Sequence, residues 1–295
     1  MISITRFIQK PFALFVLSLM YLITCSCDAD DGEQDLPSGP GAFTTTIGGV
    51  NISGELFLPA GDGPFPVIVV VPGSGADPKE DSYAFNDIFL PQGFAMYHYD
   101  KRSIGNSTGA YPAETLETPQ DFLNARRDDV LSVLQLLSSH TDIRKDKIGL
   151  LGASQGAWVN TLVYEATDVV DFIMMTVGGV TPTGIERFYD DMLTNDPALS
   201  IEEATERLYT YEGPLGFDPR TIVNSMSIPV GWVFGGQDRS HPSFYDIDVL
   251  EQLDKDNFSI YLFENSTHEM VDVNTGEFDP NLFPTILAWL NTHGK

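Results

Sequence analysis

The stretch KIGLLGASQGAW, residues 147–158, places Ser154 between two glycines where an apolar run gives way to a second apolar segment. Gly152 and Gly156 stand two residues on either side of the serine. A tight turn from a strand into a helix strains the serine backbone and crowds its neighbours, so only small residues fit beside it. The helix that follows directs its first amides and its dipole towards the serine oxygen. The stretch therefore predicts that Ser154 is a nucleophile.

Strand-like and helix-like segments alternate on both sides of this stretch. Five consecutive β-branched residues, Val67 to Val71, are typical of a strand that is buried on both faces. The other predicted strands are FTTTI and NISGELFLP as a hairpin around Gly48 and Gly49, GFAMYHYD, KIGLLG, DFIMMTVGG, PVGWVFGG and FSIYLFE. The predicted helices are LNARRDDVLSVLQLLSSH, a segment from Ser154, DVLEQL and LFPTILAWLNTH. This alternation predicts an α/β fold with a mostly parallel sheet and helices on both faces.

Residues 43–295 are long enough for one large domain, and no internal repeat is found. The segment 182–227 interrupts the alternation between two predicted strands, which predicts a helical cap insertion. Its aromatic residues have two equally favoured roles, lining an acyl pocket or packing the cap onto the core. They are Phe188, Tyr189, Tyr209 and Tyr211.

Two later segments supply partners for a nucleophilic serine. Asp238 follows the strand VGWVFGG, and His268 follows the strand FSIYLFE. The carboxyl ends of parallel strands meet at one edge of a sheet, so both residues are expected near Ser154. A serine nucleophile needs a base, and the base needs an orienting carboxylate. His241 is a rival base, and a surface turn is the alternative role for Asp238.

Five motifs resemble those of the α/β-hydrolase superfamily, namely VPGSGADPKE, YDKRSIGNSTG, GASQGA, FGGQD and NSTHEM. Within it, the chain resembles bacterial esterases and acyl hydrolases related to dienelactone hydrolases and to the carboxy-terminal domain of acyl-CoA thioesterases. The resemblance spans nearly all of residues 43–295. It implies a serine carboxylesterase-type enzyme that works through an acyl-enzyme. Ser154 is then the nucleophile, His268 the general base and Asp238 its partner.

The resemblance also implies an oxyanion hole made of two backbone amides. One belongs to Gln155, directly after the nucleophile, and the other to Ser74 in the loop PGSG. The family usually carries a histidine where Pro72 stands. That histidine mainly shapes the loop, so Pro72 predicts a different loop conformation with the same chemistry.

Charge and residue usage disfavour several classes of function. From residue 43 onward there are 37 acidic and 14 basic residues, which disfavours binding to nucleic acid or to an anionic membrane surface. The five histidines lack H-x-x-x-H spacing and both cysteines lie near the amino terminus, so no metal site is predicted. No dinucleotide fingerprint follows the first strands, and no cofactor is predicted.

The expected substrate is a small or medium neutral carboxylic ester, because the acidic surface disfavours highly anionic acyl-CoA. Three alternatives remain open. In the first two, the enzyme is a thioesterase or a peptidase of the same fold. In the third, the chain is a non-catalytic binding lipoprotein on a hydrolase scaffold.

The amino terminus has the pattern of an export signal. Arg6 and Lys10 precede the apolar segment 11–23, which is too short to span a bilayer comfortably. Two readings remain, an ordinary secretory signal or a lipoprotein-type signal peptide over residues 1–27 with a lipidated cysteine. Cys25 is the favoured lipidation site and Cys27 the alternative. The acidic segment 28–42 is predicted to be a flexible linker. A lipidated cysteine would place the protein in the bacterial cell envelope, with the lipid anchor as its membrane contact.

Overall fold

A computed structural model describes residues 36–115 and 117–295. The predicted signal peptide, the lipidation site at Cys25 or Cys27 and most of the predicted linker 28–42 lie outside the described residues. In the part of the chain that is described, no helix is both long enough and apolar enough to cross a membrane.

Eight strands and eight α-helices alternate along the described chain. The strands are β1 Gly41–Ile47, β2 Val50–Phe57, β3 Phe65–Val71, β4 Ala95–Tyr99, β5 Ile143–Ala153, β6 Phe172–Thr176, β7 Val230–Gly235 and β8 Phe258–Phe263. The helices are α1 Asn86–Phe89, α2 Pro119–Ser139, α3 Gln155–Ala166, α4 Thr183–Asn195, α5 Ile201–Leu208, α6 Arg220–Ser225, α7 Ser243–Leu253 and α8 Leu282–His293. Short 3₁₀ helices cover Lys79–Phe85 and Leu90–Gln92.

The strands form one sheet in the order β1-β2-β4-β3-β5-β6-β7-β8. Strand β2 pairs antiparallel with both β1 and β4, and every other pairing is parallel. The predicted hairpin and the predicted mostly parallel sheet are therefore confirmed. Because the parallel strands run in one direction, the segments after β5, β7 and β8 emerge at the same edge.

Strand β3 shows why a continuous apolar run is needed at the centre of this sheet. Val67, Val69 and Val71 pack into the core on one face, beneath α2 and α3. Ile68 and Val70 pack into the core on the other face, beneath α1 and α8. Successive side chains of a strand point to opposite faces, and here both faces are covered by helices.

The fold begins a few residues before the expected boundary at residue 43. The Gly39 amide donates a hydrogen bond of 2.7 Å to the Asp142 side chain, and the Thr141 amide donates one of 3.0 Å to the Pro37 carbonyl. Strand β1 itself starts at Gly41. Backbone hydrogen bonds therefore attach the last residues of the predicted linker to the turn before β5.

The segment predicted as a cap contains three helices with two different packing partners. Helices α4 and α5 enclose a separate small core that includes Tyr189, Leu193 and Leu208. A capping box in which Ser200 and Glu203 exchange hydrogen bonds begins α5. Helix α6 instead places Ile222 and Val223 in the main core on the sheet. We therefore use the name cap helices for α4 and α5 alone.

Candidate active site

Ser154 occupies a strained turn between β5 and α3. Its φ of 53° and ψ of −123° lie outside the regions that residues other than glycine usually adopt. The Ser154 amide donates a hydrogen bond of 2.9 Å to the Thr176 carbonyl at the end of β6. Such backbone strain costs about 1–3 kcal/mol, and it persists only where the surroundings enforce it. Here the neighbouring strand end and α3 enforce it.

The glycines that flank Ser154 are required by close approaches. A Cβ atom at Gly152 would collide with the Asn160 side chain and would lie 2.8 Å from the Gly156 carbonyl oxygen. A Cβ atom at Gly156 would collide with the Val71 carbonyl and would lie 2.7 Å from the Pro72 carbonyl. The G-x-S-x-G pattern therefore reflects contacts with α3 and with the end of β3.

His268 and Asp238 lie together at the carboxyl edge of the sheet. The His268 Nδ1 atom is 2.8 Å from the Asp238 Oδ2 atom. The Asp238 side chain is fully buried, and its Oδ1 atom accepts hydrogen bonds from the amides of Ser240 at 2.9 Å and His241 at 2.7 Å. The Tyr189 hydroxyl of α4 donates a hydrogen bond of 2.8 Å to the Asp238 carbonyl. The carboxylate is thus held in one orientation, with one oxygen left for the histidine.

His268 and the residue before Ser154 border the same space, but no hydrogen bond joins Ser154 to His268. Ala153, directly before the serine, and His268 line one groove. Among residues 36–115 and 117–295, no hydrogen bond joins the Ser154 hydroxyl to His268. Contacts between a nucleophile and its base are often long before substrate binds. The structure thus brings a serine, a histidine and a carboxylate to one edge of the sheet.

A second buried pair involves His241, the rival base. The His241 Nε2 atom is 2.7 Å from the Asp246 Oδ2 atom, and both side chains are buried. Burial lowers the pKa of His241, but the charge and hydrogen bond of Asp246, together with the charges of Asp238 and Glu186, outweigh this effect and the pKa is raised. The other oxygen of Asp246 accepts a hydrogen bond from the Thr181 hydroxyl. The His241 side chain is therefore paired with Asp246, while its backbone amide donates a hydrogen bond to Asp238.

The two residues predicted to form the oxyanion hole face each other across a small cavity. Gln155 is the first residue of α3, where backbone amides lack partners within the helix. Ser74 is exposed in the loop after β3. Both residues line a cavity of about 150 Å³. The structure thus brings the loop PGSG and the start of α3 together.

Two buried cations hold the loop 72–75 by its carbonyl oxygens. The Arg126 Nη2 atom donates a hydrogen bond of 2.5 Å to the Pro72 carbonyl, and the Nη1 atom donates one to the Gln155 side chain. The Lys101 Nζ atom donates to the Gly73 carbonyl at 2.8 Å and also to the Gly75 carbonyl. Burial, with the nearby charge of Arg126, lowers the pKa of Lys101 to about 8. Arg126 therefore restrains the loop through the carbonyl of Pro72.

Sequence reasoning missed Arg126, although the sequence contains a signal for it. Arg126 lies three residues after Leu123 and four before Val130, on the buried and mostly apolar face of α2. Its side chain is 1% exposed. A charged residue on a buried face needs polar partners, and here the partners belong to the site.

The residues that flank Lys101 stabilise the same region through ion pairs. Asp100 is buried and lies 3.1 Å from the Lys79 Nζ atom. Arg102 lies 2.5 Å from a buried carboxylate oxygen of Asp129 on α2. These pairs fix the loop after β4 beside the loop 72–75.

Two cavities of different character lie near the site. One is an apolar groove of about 360 Å³, lined by Ala153, His268 and three phenylalanines, Phe85, Phe278 and Phe283. The second is an open cavity of about 710 Å³ beside α5, which we call the cap cavity. The cap cavity is lined mainly by polar and charged residues, together with Ile201, Tyr209 and Phe244.

The cap aromatics mostly pack the cap. Tyr189 is fully buried, and the rings of Phe188 and Tyr211 lie 5.0 Å apart. The Tyr209 ring lies tilted against that of Tyr245 of α7, with 5.4 Å between the ring centres, and also borders the cap cavity. Of the two roles that the sequence left open, the structure favours packing.

Helix α4 also brings acidic side chains towards the two histidines. Burial raises the pKa of Glu186 to about 7, against the opposing positive potential of His241 and His268. Burial also raises the pKa of Asp190, one turn further along the helix. Helix α4 thus places two carboxyl groups near the pair formed by His268 and Asp238, and Glu186 is about half protonated at neutral pH.

A model of the family described as X-Pro dipeptidyl-peptidase (S15 family) matches residues 48–204. This match covers more than half of the chain and includes Ser154. Among curated proteins, Esterase EstD of Thermotoga maritima is 24% identical over 302 aligned residues, which cover 88% of this chain and 70% of EstD. Esterase FrsA of Escherichia coli is 34% identical over 80 residues, which cover 27% of this chain and 19% of FrsA.

Solved structures share the fold at low sequence identity. The esterase Pf2001 of Pyrococcus furiosus superposes with a TM-score of 0.64 and 16% identity, covering 87% of this chain and 94% of that chain. The chain is therefore similar to α/β hydrolases in both sequence and fold.

Proposed function

Because the chain belongs to the X-Pro dipeptidyl-peptidase (S15) family, within the α/β-hydrolase superfamily, we propose that it is a serine hydrolase that cleaves carboxylic esters. The observation that carries the proposal is the distance of 2.8 Å between His268 Nδ1 and Asp238 Oδ2. This pair lies at the same sheet edge as Ser154, whose strained backbone suits a nucleophile.

In the proposed mechanism, the Ser154 oxygen attacks the ester carbonyl while His268 Nε2 accepts its proton. The backbone amides of Gln155 and Ser74 stabilise the oxyanion that forms. The protonated His268 then donates its proton to the leaving alkoxide, which releases an alcohol and leaves an acyl group on Ser154. Water, deprotonated by His268, then attacks the acyl-enzyme. The protonated His268 returns its proton to the Ser154 oxygen as the carboxylic acid is released. Asp238 holds the His268 tautomer throughout.

The second candidate is cleavage of a peptide bond after an X-Pro dipeptide, because the matching family model carries that description. We favour esters because the relative that aligns with most of the chain is an esterase. The acidic surface supports small or medium neutral esters over highly anionic thioesters.

The test is labelling of the whole protein with a fluorophosphonate probe, followed by a comparison of p-nitrophenyl esters with an X-Pro p-nitroanilide. We expect labelling at Ser154 and faster turnover of the esters. The variant Ser154→Ala should lose both labelling and turnover while its thermal unfolding stays close to that of the wild type. Labelling of another serine in that variant would overturn the assignment, and preference for the anilide would favour the peptidase.

From the sequence alone, we also propose that the protein is exported and anchored by a lipid on Cys25 or Cys27. Mass spectrometry of the mature amino terminus would detect the modification. An unmodified terminus beyond Cys27 would contradict this proposal.

A further inference from the structure

The apolar groove begins directly beside the nucleophile. Ala153 precedes Ser154 in the chain, and its side chain is exposed to the groove although it ends a central strand. His268 lines the groove beside it. A molecule in the groove would therefore contact the base and the residue before the nucleophile at the same time.

The walls of the groove are apolar and its rim is acidic. The apolar wall residues include Val70, Leu151, Phe85, Phe278, Phe283 and Ile286. Asp77, Asp81 and Glu269 are exposed at the rim, while the lysine that also lines the groove, Lys79, is buried and paired with Asp100 and Glu80. Such a surface favours an uncharged apolar chain and repels a chain that ends in a carboxylate. The volume of about 360 Å³ lies in the range of small-molecule sites.

We propose that this groove binds the alcohol portion of an uncharged ester and so selects substrates by the length of their alcohol chain. The inference rests on the proposed esterase function. His268 must protonate the leaving oxygen, so that oxygen lies within hydrogen-bond reach of His268 Nε2. Since His268 forms part of the groove wall, the alkyl chain on that oxygen continues into the groove.

Two other cavities near the site fit an alkyl chain less well. The cavity at Gln155 and Ser74 has only about 150 Å³ and is bordered by Lys101 and Arg126. The cap cavity is lined by Glu202 and Glu206, and His268 does not border it. The apolar groove is thus the cavity with both an apolar wall and contact with the base.

The test compares alkyl acetates from methyl to hexyl, which share one acetyl-enzyme. Any effect of chain length therefore arises before or during acylation. Burial of each methylene group is expected to raise kcat/KM about fourfold until the groove is filled. The gain should disappear when the alcohol chain ends in a carboxylate. A parallel series of methyl esters with lengthening acyl chains should show a much weaker trend.

Two phenylalanine variants locate the binding surface. Phe278 in the groove is 60% exposed and Phe244 in the cap cavity is 39% exposed, so truncation of either side chain leaves the core intact. In Phe278→Ala, kcat/KM for hexyl acetate is expected to fall about fivefold to tenfold, with less than a twofold change for methyl acetate. In the matched control Phe244→Ala, both values should stay within twofold of the wild type.

Three outcomes would overturn the proposal. A larger effect of Phe244→Ala would place the chain in the cap cavity. An effect of Phe278→Ala confined to the acyl series would place the acyl group in the groove. No chain-length dependence in an enzyme that is labelled at Ser154 would show that the groove binds neither portion. Failure of the esterase function itself is distinguishable, because Ser154 would then not be labelled and no acetate would be hydrolysed.

Discussion

Replacement of Asp238 by asparagine tests the proposed triad most directly, because the structure fixes the orientation of the new amide. The Asp238 Oδ1 atom accepts two backbone hydrogen bonds, from Ser240 and His241. In Asp238→Asn the amide oxygen must keep that place, since the NH₂ group is a donor and cannot accept hydrogen bonds from these two backbone amides. The NH₂ group then faces His268 Nδ1, where the carboxylate oxygen stood at 2.8 Å.

An NH₂ donor at this position forces His268 Nδ1 to act as an acceptor. The ring proton of neutral His268 then resides on Nε2, which can no longer accept the Ser154 proton. The equivalent substitution in a Ser-His-Asp protease lowers kcat about 10⁴-fold, which corresponds to about 5 kcal/mol of transition-state stabilisation. We expect a loss of the same order here, with nearly unchanged thermal unfolding because the shape of the side chain is preserved.

The second pair of acid and histidine provides the matched control. Asp246 is as deeply buried as Asp238 and lies at 2.7 Å from His241, but it makes no contact with His268. Asp246→Asn is expected to retain turnover within about threefold. It should lower the stability by about 1–3 kcal/mol, because a buried hydrogen-bond network is disturbed.

The assay is kcat for a p-nitrophenyl ester, measured beside thermal unfolding and fluorophosphonate labelling of each variant. The reasoning would be refuted if Asp238→Asn lost less than about tenfold in kcat. It would also be refuted if Asp246→Asn lost thousands-fold while remaining folded, because His241 would then be the base.

Two further predictions concern residues that only the structure connects to the site. Arg126→Met removes the donors to the Pro72 carbonyl and the Gln155 side chain, so kcat should fall about 10- to 100-fold with little change in KM. The control is Arg127→Met, at the partly exposed neighbouring residue, which should change neither value. Burial raises the pKa of Glu186 to about 7, so the folded chain binds more protons than the unfolded chain between about pH 4.5 and 7, and stability should fall as the pH rises through that range. Denaturant unfolding at several pH values should show a weaker fall in Glu186→Gln, and an identical slope would contradict the assignment.

Sequence alone determined the elements and the order in which chemical groups follow them. The β-branched run of β3 and the alternation of strands and helices predicted a mostly parallel sheet, because burial on both faces selects apolar residues locally. The need for glycines around Ser154 could also be predicted from the sequence, because steric limits in a tight turn act between near neighbours. Asp238 and His268 were named by their place after two strands, and the structure brings them to 2.8 Å.

Only the tertiary structure decided which distant side chains meet. Arg126 reaches the Pro72 carbonyl across 54 residues of sequence, and His241 pairs with Asp246 where the sequence had left it as a rival base. The sequence left the cap aromatics with two equal roles, lining a pocket or packing the cap. Their contacts with α7 and with one another favour packing. A local pattern records which face of an element is buried. The contacts between elements depend instead on strand order, on how α2 and α8 pack on the sheet and on how the cap helices pack against α7, which no short segment specifies.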